Sequence, residues 1–525
     1  MSTYRFDRLL SPRSVALVGA SARPNAFGAA ILRNLREAGF AGPIWPVNPR
    51  HDSVDGVQAF ADLADLPEPA DLVVIVTPPE TVPEVVAAAG RKGCGAAVVI
   101  TTGLGSGPDS LAEAARAAAR RHSLRLVGPD SMGLAVPGNA LNASLLARAP
   151  LPGDLALISQ SRTVAAGIVA WAQGRGTGFS GIVSLGNALD VDIADCLDHF
   201  AADIRTRAIL LSIATVTDAP KFMSAARAAA RAKPVVVIRS GRHDAARIAD
   251  GRAAPPVLTH TGITHTGILA RTDAVYDAAF RRAGLLRVQD LDEMFSAVET
   301  LGRQRPFPGR RLAILANGRG VGAIAVDRLI DLGGSLAGLS EETRARLAAA
   351  VPGTGPQDWR NPVDIGADAD GPRYAAALEA LMADRDNDAV LVINVPTALS
   401  GGSAVASEIV EAVKRGRKGA FRARPVFAVT VGDEAAGEIL SQAGIPRFAT
   451  DADAVEGFTH LVRYREAQDD LTTTPAVLPD DLVPDAGAAR AIVDRVLADG
   501  RTWLDPREMA DLLAAYGIPA QPVTL

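Results

Sequence analysis

The chain has 525 residues, 54 Lys and Arg against 59 Asp and Glu, and a net charge of −5, with no strongly basic segment, which argues against nucleic acid as a partner. Its two cysteines, Cys94 and Cys196, are too few for a disulfide framework or a zinc site. The start, Met1 to Leu10, lacks the apolar core of a signal peptide, and no run has the roughly 20 apolar residues of a membrane span, so a cytoplasmic protein without membrane contact or a bound metal is expected.

Such a length suggests roughly three or four domains of about 100–200 residues. Aromatics are 4%, so alanine, valine and leucine must fill the cores. Short β-branched runs alternate with alanine-rich helical stretches almost throughout, the pattern of parallel sheets covered by helices. The expected class is α/β, with three successive parallel-sheet domains of Rossmann or flavodoxin type.

The first domain, 1–138, carries candidate strands at 14–18, 44–47, 72–76, 97–101 and 125–127, with helices at 29–38, 82–91 and 111–122. Its first strand enters Gly19-Ala20-Ser21, and a helix begins near Gly28. A tight glycine turn there lets backbone approach a phosphate at a helix start. The fit to GxGxxG is poor, and a plain strand-to-helix turn explains the segment as well. Asn48 stands where a dinucleotide enzyme would place an acidic residue, which disfavours a dehydrogenase.

In the second domain, 139–302, strands are expected at 155–159, 181–184, 208–213 and 235–238. Ser159-Gln160-Ser161 then gathers hydroxyls and free N–H groups at a helix start, a candidate anion site or an ordinary serine cap. Gly186-Asn187 forms a second turn at a strand end. Further on comes Thr259-His260-Thr261-Gly262-Ile263-Thr264-His265-Thr266-Gly267, a doubled motif in a chain with seven histidines. An imidazole bracketed by hydroxyls and glycines suits covalent phosphate chemistry, because it is nucleophilic at neutral pH. A loop with incidental histidines is the plainer reading of that segment taken alone.

The third domain, 303–468, repeats the scheme. A strand at 312–316 leads through Asn317-Gly318-Arg319-Gly320-Val321-Gly322 into a helix, Asn361-Pro362-Val363-Asp364 reads as a rigid turn, and strands at 389–393 and 426–430 follow. Residues 469–495 read as a linker opening on Asp, Thr and Pro, and 496–525 as the start of a further domain with a helix at 506–516.

In this order the pieces resemble the ADP-forming (NDP-forming) acyl-CoA synthetases, relatives of succinyl-CoA synthetase, over nearly the full length. The matches are the run 11–21, Ser-Pro-Arg-Ser-Val-Ala-Leu-Val-Gly-Ala-Ser, then Pro46-Val47-Asn48-Pro49, Gly128-Pro129, Ser159-Gln160-Ser161, Ser184-Leu185-Gly186-Asn187, His265-Thr266-Gly267 with the following Asp273-Ala274-Val275-Tyr276, and Asn361-Pro362-Val363-Asp364. The resemblance implies a CoA-binding domain followed by two ligase-CoA domains. Gly19, Ala20, Ser21, Asn48 and Arg50 would lie near the nucleotide end of CoA, with Thr77, Pro78, Thr101 and Gly103 along its path. It implies His265 as the phosphorylated residue, since the family's downstream stretch aligns with it and not with His260. Phosphate would be held by Ser159, Gln160, Ser161, Gly186, Asn187, Thr266, Gly267, Gly318 and Gly320.

The implied reaction interconverts acyl-CoA, phosphate and ADP with carboxylic acid, CoA and ATP, through an acyl phosphate and a phosphohistidine. ADP or ATP with Mg would bind an ATP-grasp domain of which 496–525 resemble only the opening. A homo-oligomer or a complex with an ATP-grasp subunit is expected. Several positions depart from the family pattern. Ala214 stands where a glutamate usually orients the phosphohistidine, Arg162 replaces the glycine of Ser-Gln-Ser-Gly, and Asp130 replaces the asparagine after Gly-Pro. These departures keep a second reading open: a degenerate module that senses CoA or acyl-CoA, as in some protein acetyltransferases.

Overall fold

The computed structural model describes residues 3–174, 176–240, 273–304, 306–351, 358–419, 424–473, 483–501 and 503–520. Residues 1–240 together with 280–471 form one compact unit, and 241–279 with 472–525 a second.

Besides a two-stranded ribbon, Ser53–Val54 with Val57–Gln58, the described residues of the larger unit form three larger sheets. Strands β1 (Val15–Val18), β2 (Ile44–Val47), β3 (Leu72–Ile75), β4 (Ala96–Val99) and β5 (Arg125–Val127) pair in the order β2-β1-β3-β4-β5, all parallel. β1, β3, β4 and β5 are buried along their whole length, as strands covered by helices on both faces must be. The covering helices include α1 (Phe27–Glu37), α2 (Val82–Lys92) and α3 (Leu111–Arg121). Ser110 starts α3 by accepting from the Glu113 N–H, and Gly93 ends α2 in the left-handed region at φ 86°.

The second sheet begins with an antiparallel hairpin, β6 (Gly133–Val136) and β7 (Leu141–Ser144). Then come β8 (Pro152–Ser159), β9 (Phe179–Ser184), β10 (Ala208–Ile213), β11 (Val235–Arg239) and β12 (Leu286–Val288), in the order β12-β11-β10-β8-β9-β6-β7. β6 pairs with β9, so Gly133–Val136, at the end of the expected first domain, join this sheet. Helices α4 (Arg162–Gly174), α5 (Ile193–Ala202) and α6 (Ala219–Ala232) follow β8, β9 and β10.

The third sheet is parallel, ordered β14 (Ser335–Leu336), β13 (Arg311–Ala316), β16 (Ala389–Asn394), β17 (Val426–Thr430), β18 (Arg447–Phe448), with β15 (Val363–Asp364) also on β13. Asn361 fixes this corner. Its amide oxygen accepts from Ile314 N, and its nitrogen donates to Leu312 and Ala337 oxygens. The motif that reads as a rigid turn thus ties two strands together.

The expected linker, 469–495, is largely helical where it is described. Asp469 to Thr472 complete the helix Asp451–Thr472, and Ala486–Ala498 form another. The smaller unit pairs that helix with Pro506–Ala515, which Asp505 and Glu508 cap reciprocally. Among the described residues no helix is long and apolar enough to cross a membrane, and no cluster of His, Cys, Asp or Glu is arranged to hold a metal ion.

Candidate active site

Open parallel sheets bind ligands beyond the carboxyl ends of their strands, where the strand order reverses. In the first sheet that point lies between β1 and β3. Gly19 follows β1 at φ 91°, and a β-carbon built there would sit 3.1 Å from Val76. A β-carbon on Gly28 would fall 2.3 Å from the Gly19 carbonyl oxygen, so the start of α1 rests directly on the turn. Asn48 after β2 donates to the Ala20 oxygen at 2.8 Å and accepts from Arg50 N at 2.8 Å. Ser21 accepts from Arg23 N, and the Thr101 hydroxyl after β4 donates to the Thr77 oxygen at 2.8 Å. Gly19, Ala20, Ser21, Asn48, Arg50, Thr77, Pro78, Thr101 and Gly103 therefore gather at the carboxyl ends of four adjacent strands. Backbone laid this closely at a helix start fits a phosphate-bearing ligand.

In the second sheet the reversal occurs at β8, and there a cleft of about 220 Å³ opens. Gln160 after β8, Gly186 to Ala188 after β9, and Ala214 to Asp218 after β10 line it, with Asp192, Ile193, Ala194 and Phe222. Gln160 is fixed by the loop it touches. Its side-chain oxygen accepts from Ala214 N at 2.7 Å and Thr215 N at 3.0 Å, while its nitrogen donates to the Thr215 oxygen at 2.9 Å. Ser159 is fully buried, and its hydroxyl donates to the Ser161 oxygen and accepts from Ser161 N. The Ser161 hydroxyl accepts from Val164 N and so caps α4. Of the two serines that mark this segment in the sequence, Ser159 is turned inward, and half-buried Ser161 shapes the helix start.

Gly186, at φ 54°, could carry no β-carbon, which would lie 2.1 Å from the Pro129 oxygen and 2.7 Å from the Asp130 carbonyl carbon. Asn187 N donates to that same Pro129 oxygen, and Asp130 N donates to the Thr101 oxygen at 3.0 Å. One short segment, 128–131, therefore bonds both Thr101, at the strand ends of the first sheet, and Asn187, in the lining of the second-sheet cleft.

Sequence reasoning missed the charges beneath the cleft. Asp192 and Asp195 form a reciprocal cap on α5. Lys221 bonds both, at 2.9 and 2.7 Å, and Arg125 of β5 bonds Asp195 at 2.8 Å and Asp190 at 3.0 Å. Burial holds the Asp195 carboxyl above its usual range despite the Lys221 bond. It also pulls against the Lys221 ammonium, but the bonds to Asp195 and Asp192 prevail and raise it. The Asp-x-x-Asp spacing at 192–195 was the available signal.

Gly318 caps the helix Arg319–Asp331 at the carboxyl end of β13, and neither it nor Gly320 lines the cleft. His265, Thr266 and Gly267, with His260, lie outside the described residues.

Residues 13–137 match the model of a CoA binding domain, and 152–301 that of a succinyl-CoA ligase like flavodoxin domain. Acetate–CoA ligase [ADP-forming] I of Archaeoglobus fulgidus is 32% identical over 98% of this chain and 71% of its own length. The chain belongs to the ADP-forming acyl-CoA ligase family. As a family member it is an acid–thiol ligase with a CoA-binding domain. The alpha subunit of acetate–CoA ligase [ADP-forming] I from Pyrococcus furiosus is also 32% identical, over 87% of this chain and 97% of that subunit. Among solved structures, the dinucleotide-forming acetyl-coenzyme A synthetase 1 of Ca. Korarchaeum cryptofilum, in complex with phosphate and ADP, superimposes with a TM-score of 0.76 at 30% identity. That match covers 90% of this chain and 99% of the other. The side chains of Arg162 and Asp130 meet, Nη2 to Oδ1, at 3.1 Å.

Proposed function

We propose that the chain carries the acyl and phosphoryl half of an ADP-forming ligase, with CoA in the first-sheet pocket and phosphate in the second-sheet cleft. The observation that carries this reading is segment 128–131, whose backbone bonds Thr101 on one side and Asn187 on the other. A thioester in one pocket is thereby next to a phosphate in the other.

Phosphate oxygen attacks the thioester carbonyl, the C–S bond breaks, and CoA leaves as an acyl phosphate forms. An imidazole nitrogen of His265 then takes the phosphoryl group and releases the carboxylate. ADP finally accepts it to give ATP. Splitting the transfer spares two bulky ligands from sharing one site. Gly19, Ala20, Ser21, Asn48 and Arg50 would hold the nucleotide end of CoA, and Thr77, Pro78, Thr101 and Gly103 its arm. Asn187 and Gly186 would meet phosphate directly. Ser159 and Gln160 would act by shaping the α4 start and the 214–218 loop, and Thr266, Gly267, Gly318 and Gly320 would also contribute to holding phosphate. ADP and Mg would bind an ATP-grasp module, on the same polypeptide or a separate subunit. Acetate is the first acid to try, because the relatives above are acetate ligases.

The test is acid-labile label. With acetyl-CoA and labelled phosphate, the chain should become labelled; His265→Ala should abolish the label and His260→Ala should keep it. Label that survives His265→Ala would overturn the assignment. Tight CoA binding with no label for any acyl-CoA would instead favour a sensing module, the reading that Ala214 supports.

A further inference from the structure

The described lining of the cleft contains two carboxylates, Asp192 and Asp218, and no lysine or arginine. Lys221 lies beneath it, engaged with Asp192 and Asp195. A dianion entering such a site meets like charge in a place of reduced dielectric, where repulsion is strong. Among the described residues, a cation would have to come from outside this lining.

Arg162 stands there. It begins α4 two residues after the lining residue Gln160, and its guanidinium pairs with Asp130, on whose backbone the lining residue Gly186 rests. The two partners differ in freedom. Asp130 is anchored: its N–H is bonded to Thr101, and its backbone is held at φ 62° in the left-handed region. Arg162 is a long side chain left 39% exposed, in an ion pair whose acid is 40% exposed. Half-exposed pairs of this kind are weak and exchange partners readily. Phosphate offers guanidinium two oxygens in a fork geometry and competes well with a single carboxylate contact.

We propose that Arg162 is the phosphate-capturing residue of this ligase, parked on Asp130 when the cleft lacks phosphate and transferred to the incoming dianion. This deepens the function proposed above and rests on it. Asp130 then acts only through Arg162, as a positioning residue that keeps the cation at the rim.

Calorimetric titration of the full chain with inorganic phosphate, and separately with acetate and CoA, tests this. Arg162→Ala should weaken phosphate about tenfold or more, as loss of a charged hydrogen-bond partner does. Asp130→Asn should tighten phosphate about threefold by freeing the guanidinium. The double variant should match Arg162→Ala, and Arg162→Lys should recover part of the loss. CoA affinity should be unchanged in all of them, which also shows that they fold. Phosphate binding equal in wild type and Arg162→Ala, additive effects of the two substitutions, or a loss confined to acetate would overturn the proposal. Failure of the wild-type chain to bind CoA would instead strike the ligase reading beneath it.

Discussion

The side chain of Gln160 clasps the backbone of Thr215, accepting its N–H at 3.0 Å and donating to its oxygen at 2.9 Å. With the further bond from Ala214 N, the clasp ties the end of β8 to the loop after β10, across the mouth of the cleft. Both polar atoms of the amide are thereby occupied. Gln160→Ala should cost about 1–2 kcal/mol of stability, the net value of partly exposed hydrogen bonds. It should lower kcat/KM for phosphate about tenfold while leaving CoA affinity intact, because the loop that shapes the cleft loses its anchor. Gln160→Glu keeps the two accepted bonds and loses the donated one, so its stability should fall between the two. Thermal melts and steady-state kinetics of the three proteins check the order.

Ala214 ends the clasped segment, exposed and lining the cleft. A carboxylate at this position would bond one ring nitrogen of the histidine and so fix which nitrogen attacks. Ala214→Glu should therefore speed phosphohistidine formation, by about the 10–100-fold that such partners contribute. The initial rate of acid-labile labelling measures it. An unchanged or slower rate would show that Ala214 is not the counterpart of the family glutamate.

How much of this was legible beforehand differs from feature to feature. The parallel strands were, because runs such as Leu72–Ile75 and Ala208–Ile213 are apolar on both faces and buried throughout. The hairpin Gly133–Val136 with Leu141–Ser144 was not. Its strands are short, and the partner that gives them a sheet, Phe179–Ser184, lies far along the chain. Ser159, Gln160 and Ser161 stood out as polar residues at a helix start, but which atoms turn inward depends on the turn geometry, which residue type does not specify. Arg162 and Asp130 were each visible as an oddity. That they are one feature is a tertiary fact, as is Arg125 reaching Asp195 across 70 residues of sequence.

Two glycines make the pockets possible and give a sharp expectation. A methyl group at Gly28 would overlap the Gly19 carbonyl, and one at Gly186 the Pro129 carbonyl, with Gly186 also in a left-handed conformation. Backbone on both sides leaves little room to relax. Gly28→Ala should weaken CoA more than about tenfold, since the helix start must back away from the turn that meets the phosphate. Gly186→Ala should spare CoA, reduce phosphate affinity and lower stability by about 1–3 kcal/mol through overpacking and strain. Separate CoA and phosphate titrations would distinguish the two.

Far from either pocket, at the amino ends of the first sheet, Asp71 ties the chain's opening segment to β3. It accepts from Arg13 N at 2.9 Å and Arg13 Nε at 3.2 Å and pairs with Arg8, while its own N–H donates to the Ser14 hydroxyl. Burial alone would raise its carboxyl, but the Arg13 bonds and the Arg8 charge outweigh it and hold the group below its ordinary 3.8. A carboxylate depressed in the folded state stabilises at pH above its unfolded value, and that stabilisation is lost as pH falls toward and through the folded one. Asp71→Asn should therefore cost about 1–3 kcal/mol at neutral pH, where a buried charged acceptor is removed. The gap between wild type and variant should hold from pH 7 down to about 4.5 and then narrow, because the unfolded wild type takes up a proton before the folded one does. Denaturant unfolding of both proteins across that range measures the gap. A gap that is constant down to pH 3 would mean that the Arg8 and Arg13 contacts do not stabilise the charged form.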